Sequence, residues 1–324
     1  MIIIKSPLRI TLGGGGTDLP SFYEKFGGFL ISATINKYIY ITMYEPFKDY
    51  IFLKYANYEK VKKIEKIKHP IIKKIFEKYL KNFEKIEMQI AADVPAGTGM
   101  GSSGAFTAGV IKSIYSYKNR SISHNDLAEK ACEIEIKDLK RNVGKQDQYS
   151  SVYGGINSYK FTKNKVIIKP LKISNGTLES LEDNLCLYFT KFSRSADKIL
   201  KNQNSKTKKN NKEIIKNLQF NKELGMKSKI YLENEKLDDF AEILNEQWRC
   251  KFERSPETIN PRIKNLYDIG LRNGATGGKL IGAGGGGFLM FYANDKEKLD
   301  RIMKKEGIEK MKFNFDFNGV TRIV

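Results

Sequence analysis

Glycines at positions 97, 99, 101 and 104 punctuate the segment Asp93-Val-Pro-Ala-Gly-Thr-Gly-Met-Gly-Ser-Ser-Gly104. Glycine has no Cβ, so backbone amides there can close on an anion. The small-residue run Ala105–Tyr117 that follows reads as a buried helix. Its first amides and positive dipole end suit a phosphate. Ser102 and Ser103 add hydroxyls that reach phosphate oxygens or a magnesium ion. The combination is an anion nest opening a helix. Gly99–Gly104 also fits G-x-G-x-x-G, but Pro95, the paired serines and the position away from the N-terminus match a dinucleotide fold poorly. A Walker A pattern is absent, because Lys279 is followed by Leu280 rather than Ser or Thr.

Carboxylates come next. In Glu133–Tyr149 (EIEIKDLKRNVGKQDQY), Asp147 stands between two glutamines after a glycine turn, and Glu135 lies on the preceding helix. Two carboxylates beside a phosphate loop can divide the work, one on magnesium and one on an acceptor hydroxyl. The plainer readings are a solvated helix face for Glu133 and Glu135 and a helix cap for Asp147. In Lys5–Pro20 (KSPLRITLGGGGTDLP), Arg9 lies on a strand aimed at Gly13–Gly16. Asp18 beyond them either binds two sugar hydroxyls or caps the next helix. The glycines of Gly277–Phe291 (GGKLIGAGGGGFLMF) either bring backbone to a ligand or form a tight hairpin. The two histidines, His69 and His124, sit in polar settings and read as surface residues, which leaves a carboxylate as the general base.

These groups need elements to hold them. Ile2–Leu12 and Gly28–Tyr44 read as strands, Phe47–Tyr58 continues in that style, and Ile86–Ala91 is a short strand. Helical spacing is seen in Ile71–Phe83, and Ser123 caps a helix reaching Leu139. Gln146–Tyr153 is a short helix closed by glycines, and Leu185–Phe192 a strand opening a second domain. Lys201–Lys212 (KNQNSKTKKNNK) lacks periodicity and reads as a loop or frayed helix start. Helices follow near Ile214–Glu233, Leu237–Phe252 and Pro261–Asn273.

Composition bounds the rest. The chain has 324 residues, 40% of them hydrophobic, enough for two cored domains of about 100–200 residues. The net charge of +20 comes from scattered lysines, without a nucleic-acid motif, and it would draw in anionic substrates. Three distant cysteines, Cys132, Cys186 and Cys250, form no CxxC pair and indicate neither zinc nor a disulfide framework. The apolar start is too short for a signal peptide, and no run approaches the ~20 residues that span a bilayer. A cytoplasmic location is expected, with no nucleic-acid or membrane partner. A homodimer is a candidate assembly that the sequence does not fix.

Taken together these segments resemble the galactokinase, homoserine kinase, mevalonate kinase and phosphomevalonate kinase (GHMP) superfamily. Ser6-Pro7-Leu8-Arg9 through Asp18, Pro95 through Gly104, and Lys279 through Gly287 occur in the superfamily's order. Within it, the likeness is greatest to the bacterial heptose 7-phosphate kinase branch. It rests on Leu12–Pro20, Val143–Gln148 and Phe192-Ser-Arg-Ser-Ala196, parts of which fucokinases share. The resemblance implies an α+β fold of two domains, residues 1–180 like domain 2 of ribosomal protein S5 and residues 181–324 ferredoxin-like. It implies ATP as co-substrate with Mg²⁺, and phosphoryl transfer to the anomeric hydroxyl of a heptose 7-phosphate. By likeness Asp147 matches the catalytic aspartate, Arg9 the basic residue beside it, and Ser103 and Glu135 the magnesium ligands. Pro95, Gly97, Gly99, Met100, Gly101, Ser102, Ser103 and Gly104 fall to the ATP phosphates. Gly13, Gly14, Gly15, Gly16, Thr17, Asp18, Arg194, Gly284, Gly285 and Gly286 fall to the acceptor. Arg194 and Lys191 are candidates for the sugar's phosphate. Galactokinases carry Gly-Glu-His-Thr-Asp where this chain has Gly-Gly-Gly-Thr-Asp18, which argues against galactose and leaves room for a longer, phosphorylated sugar.

Overall fold

The computed structural model describes all residues except 81–84, 194–195 and 256–259. Strands are β1 (Ile2–Gly14), β2 (Gly28–Tyr44), β3 (Ile51–Lys54), β4 (Tyr58–Val61), β5 (Ile86–Ala92), β6 (Ile156–Phe161), β7 (Val166–Pro170), β8 (Leu185–Phe189), β9 (Ala275–Leu280), β10 (Phe288–Ala293), β11 (Lys310–Met311) and β12 (Thr321–Arg322). Helices are α1 (Pro20–Phe26), α2 (Pro70–Tyr79), α3 (Ser102–Tyr117), α4 (His124–Cys132), α5 (Gln146–Tyr153), α6 (Asn175–Asn184), α7 (Ala196–Lys208), α8 (Lys212–Glu233), α9 (Leu237–Arg254), α10 (Pro261–Arg272) and α11 (Lys296–Lys305).

Two sheets organise the chain. The larger runs β12-β1-β2-β5-β3-β4. The long β2 serves two neighbours on the side away from β1: Ile39–Tyr44 pairs with β5, and Gly28–Ala33 pairs with β6, which carries β7. Its β-branched and aromatic residues suit a pleated surface packed on both sides. The smaller sheet is antiparallel, β11-β8-β10-β9. The chain ends by returning to the first sheet, where β12 pairs with β1. The antiparallel pair α8–α9 joins the two sheets, with α8 on β1 and β2 and α9 on β9. One buried cluster accordingly runs from Ile4 and Ile10 through Phe240 to Phe288 and Met290. On α2 the spacing Ile71, Ile72, Ile75, Phe76 buries one face, contributing about 1.5–3 kcal/mol for each fully buried side chain.

The structure redraws three sequence expectations. Phe47–Tyr58 is no continuous strand, because β3 turns back on β4 in a hairpin. The helix from Ser123 is α-helical to Cys132 and then widens to a π-helix over Glu133–Asp138. The polar stretch after Lys201 is helix to Lys208. It folds because Gln203 and Thr207 are buried, with Gln203 Nε2 donating to the Gly16 carbonyl at 2.8 Å. A hydrophobic period does not register a helix docked through polar groups.

Candidate active site

Gly101, left-handed at φ 77°, turns the chain into α3. The helix is sunk against β1, where Ser6 Oγ donates to the Ala105 carbonyl at 2.6 Å. Its small residues permit this: a Cβ on Gly104 would lie 2.6 Å from Asp147 Cβ and 2.7 Å from the Gln148 nitrogen. The first turns of α3 and α5 are thereby in contact, and the glycine-serine loop faces the Asp147 carboxylate.

Arg9 fastens the two. Its Nε and Nη2 donate to Asp147 Oδ1 at 2.9 and 2.5 Å, and its Nη1 donates to the Gly99 carbonyl at 2.6 Å. The Arg9 backbone N–H donates to the Met100 carbonyl at 3.0 Å. The guanidinium is nearly buried, and Asp147 stays half-exposed toward the cavity. Asp18 positions α5 from the other side. Its Oδ2 accepts the Gln146 N–H at 3.1 Å, and any Cβ on Gly144 would overlap that oxygen. Burial, then the Asp147 charge, raises the Asp18 pKa above the usual carboxylate value. Asp18 thus supports the start of the later α5, not of the helix next in sequence.

Glu135 is brought under Ser103 by the π-helical turn, which rotates it inward while Glu133 points out to Lys78. Its side chain is fully buried. Glu135 Oε2 accepts from Ser103 Oγ at 2.5 Å and from Arg141 Nη1 at 2.6 Å, and Oε1 accepts from Gln148 Nε2 at 2.8 Å. Burial raises the Glu135 pKa against those opposing contacts. Among the described residues no group of three Asp, Glu, His or Cys forms a complete metal cage. Magnesium in phosphoryl transfer needs only one or two protein oxygens beside the substrate phosphates. A hydroxyl and a carboxylate 2.5 Å apart, already holding a cationic guanidinium, fit that requirement.

These groups open on a cavity of about 840 Å³. Of the expected phosphate-binding positions, Gly97, Gly99, Gly101, Ser102 and Ser103 line it. Met100 and Gly104 lie beneath the loop, and Pro95 lines a second, smaller pocket together with Lys191. Of the expected acceptor positions, Gly14, Gly15, Gly16, Asp18, Gly284 and Gly286 line the cavity. Gly13 packs on α8, where a Cβ would lie 2.8 Å from Ser228 Cβ, and Gly285 is not part of the wall. Thr17 is buried and exchanges hydrogen bonds with the Phe29 backbone. Arg194 lies outside the described residues.

Several wall residues escaped the sequence reading. His69 is not a surface residue. It is half-buried between Tyr55 and Phe106, caps α2, and has its pKa lowered by burial. With Ile39, Ile90 and Val94 it lines the same cavity. Arg141 is the cation on Ser103 and Glu135. Gln247, Lys251 and Arg254, spaced i, i+4, i+7 on α9, share one helix face with the cavity, and Lys279 joins them from β9. That spacing was the available signal.

The chain is similar to known proteins over nearly its whole length. The family described as GHMP kinases N terminal domain matches residues 65–155, and GHMP kinases C terminal matches residues 228–305. The chain is 33% identical, over 98% of its own length and 97% of the relative's, to a D-glycero-alpha-D-manno-heptose 7-phosphate kinase of Campylobacter jejuni. A crystal structure of a D-glycero-D-manno-heptose 1-phosphate kinase from Bacteroides thetaiotaomicron superposes with a TM-score of 0.82 at 26% identity, covering 100% of this chain and 99% of that one. A Lactococcus lactis galactokinase complexed with galactose shares the fold alone, with a TM-score of 0.76 at 16% identity over 99% and 94% of the chains. The chain belongs to the GHMP kinase family and is a sugar kinase, a phosphotransferase with an alcohol group as acceptor.

Proposed function

We propose that the chain transfers the γ-phosphoryl group of ATP to the anomeric hydroxyl of D-glycero-D-manno-heptose 7-phosphate. The product is the 1,7-bisphosphate, an intermediate toward nucleotide-activated heptose for surface polysaccharide. The observation that carries this reading is the single cavity in which the phosphate loop, the Arg9–Asp147 pair and a buried cationic wall meet. The full-length likeness to a heptose 7-phosphate kinase supports the same acceptor class.

The adenine ring fills the slot of Tyr55, His69 and Phe106, and the phosphates lie on the loop amides from Gly97 to Ser103. Ser103 and Glu135 would hold Mg²⁺, which supplies charge neutralisation on the β- and γ-phosphates. Asp147 accepts or orients the proton of the C1 hydroxyl as its oxygen attacks the γ-phosphorus. Arg9 fixes the carboxylate through two N–H groups and ties it to the loop at Gly99. Little covalent work falls to the protein, so positioning and electrostatics provide most of the acceleration.

A coupled ADP-release assay tests this with heptose 7-phosphate, heptose 1-phosphate, fucose and galactose as acceptors. A kcat/KM for heptose 7-phosphate at least about tenfold above the others is expected, corresponding to roughly 1.4 kcal/mol of transition-state preference. Preference for fucose would replace the reading with a fucokinase-like enzyme acting on an unphosphorylated sugar. Preference for heptose 1-phosphate would move the accepting hydroxyl away from the anomeric carbon.

A further inference from the structure

Three cations stand in the cavity wall without a carboxylate. Lys251 and Arg254 come from α9 and Lys279 from β9; Arg254 and Lys279 are more than nine-tenths buried, and Lys251 is half-buried beside them. Among the described residues none forms an ion pair with Asp or Glu, although Arg9 and Arg141 nearby both do. Lys279 Nζ donates to Gln247 Oε1 at 2.5 Å, and Arg254 Nη1 donates to Asn217 Oδ1 at 3.0 Å. Lys251 Nζ holds the backbone carbonyls of Leu280 and Gly282. An ammonium has three donors and a guanidinium five, so most of the donor capacity of Lys279 and Arg254 is unused by these contacts.

Buried charge is costly unless paired. Burial depresses the pKa of Lys279 to about 7, and Arg9 adds to the fall. Burial and the neighbouring Lys279, Arg254 and Arg9 push Lys251 well down. The four cations Arg9, Lys251, Arg254 and Lys279 share the cavity with three carboxylates that are engaged elsewhere, Asp147 by Arg9, Asp18 by the Gln146 N–H and Asp197 by the Asn142 N–H. The nucleotide phosphates already have another wall, built from the loop amides, Ser103 and Arg141. Arg254 adjoins the acceptor side, where a Cβ on Gly16 would lie 3.6 Å from its Nη2, and Lys279 neighbours Arg9 beside Asp147. Asn221, also on this side, donates to the Gly15 carbonyl at 2.7 Å, and its Oδ1 is buried without a donor among the described residues.

We propose that Arg254 and Lys279, with Lys251 behind them, form the site for the phosphate already carried by the acceptor, and so select a phosphorylated over an unphosphorylated sugar. The site is distinct from Lys191, which lines the second pocket, and it rests on the reading of the acceptor as a sugar phosphate. Lys251 braces the site by tying α9 to the glycine turn after β9. Lys279 and Arg254 make the direct contacts.

The test compares wild type with Arg254→Gln and Lys279→Gln in the intact chain. ADP release is followed with heptose 7-phosphate and with heptose, each at varied ATP. Charge-assisted contacts of this kind predict that the kcat/KM ratio of phosphorylated to unphosphorylated acceptor falls about 10–100-fold in each variant. Thermal unfolding with inorganic phosphate supplies a readout that needs no turnover. Phosphate should raise the wild-type Tm, and the rise should shrink in both variants. Equal loss with both acceptors, or a rise confined to the KM of ATP, would assign the cluster to packing or to the nucleotide and overturn the proposal. A wild-type enzyme that uses heptose as well as heptose 7-phosphate would remove the acceptor reading itself. Another sugar phosphate that is preferred and depends on Arg254 would keep the site and replace only the heptose.

Discussion

Arg9 Nη2 lies 2.5 Å from Asp147 Oδ1 while Arg9 Nη1 lies 2.6 Å from the carbonyl oxygen of Gly99, so one guanidinium holds both the carboxylate and the glycine-serine loop. The residues are 138 positions apart, and the link depends on β1 passing beneath the starts of both α3 and α5. An Asp147→Asn substitution keeps the shape but removes the proton acceptor. General-base contributions suggest a kcat lower by about 10²–10⁴-fold. ATP binding measured by calorimetry should stay within a few-fold of wild type. Near-normal kcat would take Asp147 out of the chemistry.

Arg9→Lys tests the fastening itself. An ammonium is a point charge and cannot span the geometry that a guanidinium fork covers. It can reach Asp147 or the Gly99 carbonyl but not reproduce the three contacts. A kcat reduction of about 10–100-fold is expected, because small misplacement of reacting groups already costs on that order. Equal kcat in Arg9→Lys and wild type would show that charge alone suffices.

Glu135→Gln addresses the cation site. The amide keeps the volume but loses the negative charge against Ser103 and Arg141. The Mg²⁺ concentration for half-maximal activity should rise by at least about tenfold, in the range seen when metal-site partners are altered. An unchanged Mg²⁺ dependence would leave Glu135 as a partner of Arg141 only.

Gly104→Ala tests why the loop is glycine-rich below its surface. The new Cβ would meet Asp147 Cβ and the Gln148 nitrogen, and neither is the flexible end of a side chain. Overpacking of this kind costs about 1–3 kcal/mol. Both Tm and kcat should fall, because the strain is relieved only by moving α5 and Asp147 with it. A variant with normal Tm and kcat would mean that the two helix starts separate without consequence.

The parts of this site that were legible in the sequence are those whose chemistry is local. The glycine spacing of Gly97–Gly104 is local to a few residues, and Gln146–Tyr153 has the bounds its composition implies. The ordered motifs then pointed to Arg9, Asp147, Ser103 and Glu135. Legibility ended where a residue's role depends on what folds over it. His69 looked solvated beside Pro70 but is enclosed by Tyr55 and Phe106. The α7 segment after Lys201 docks through the buried polar groups of Gln203 and Thr207, beyond the apolar anchor Ile199. Gln247, Lys251 and Arg254 lie on one stripe of a helix, but polar residues at helical spacing ordinarily mark the solvated side. Only the placement of α9 over β9, close enough that a Cβ on Gly277 would overlap the Ala241 backbone, turns that stripe inward.

Lys279 connects the site to stability. Its pKa falls to about 7 in the folded chain, from an ordinary value of about 10.4 when unfolded. Between those values the unfolded chain binds more protons, so this group makes the ligand-free protein more stable as pH rises from about 7 toward 10. Below about pH 7 the folded chain must carry the buried ammonium facing Arg9 from β1 and Lys251 and Arg254 from α9. Lys279→Met removes that burden and keeps the volume. At pH 6 the ligand-free variant should melt a few degrees above wild type, a shift that corresponds to about 1–2 kcal/mol in a chain of this size. The advantage should shrink by pH 9, where the wild-type lysine is neutral. At pH 6 the variant should also lose stabilisation by added phosphate. Melting curves at the two pH values, with and without phosphate, check all three. A variant less stable than wild type at pH 6 would show that the hydrogen bond from Lys279 to Gln247 outweighs the buried charge.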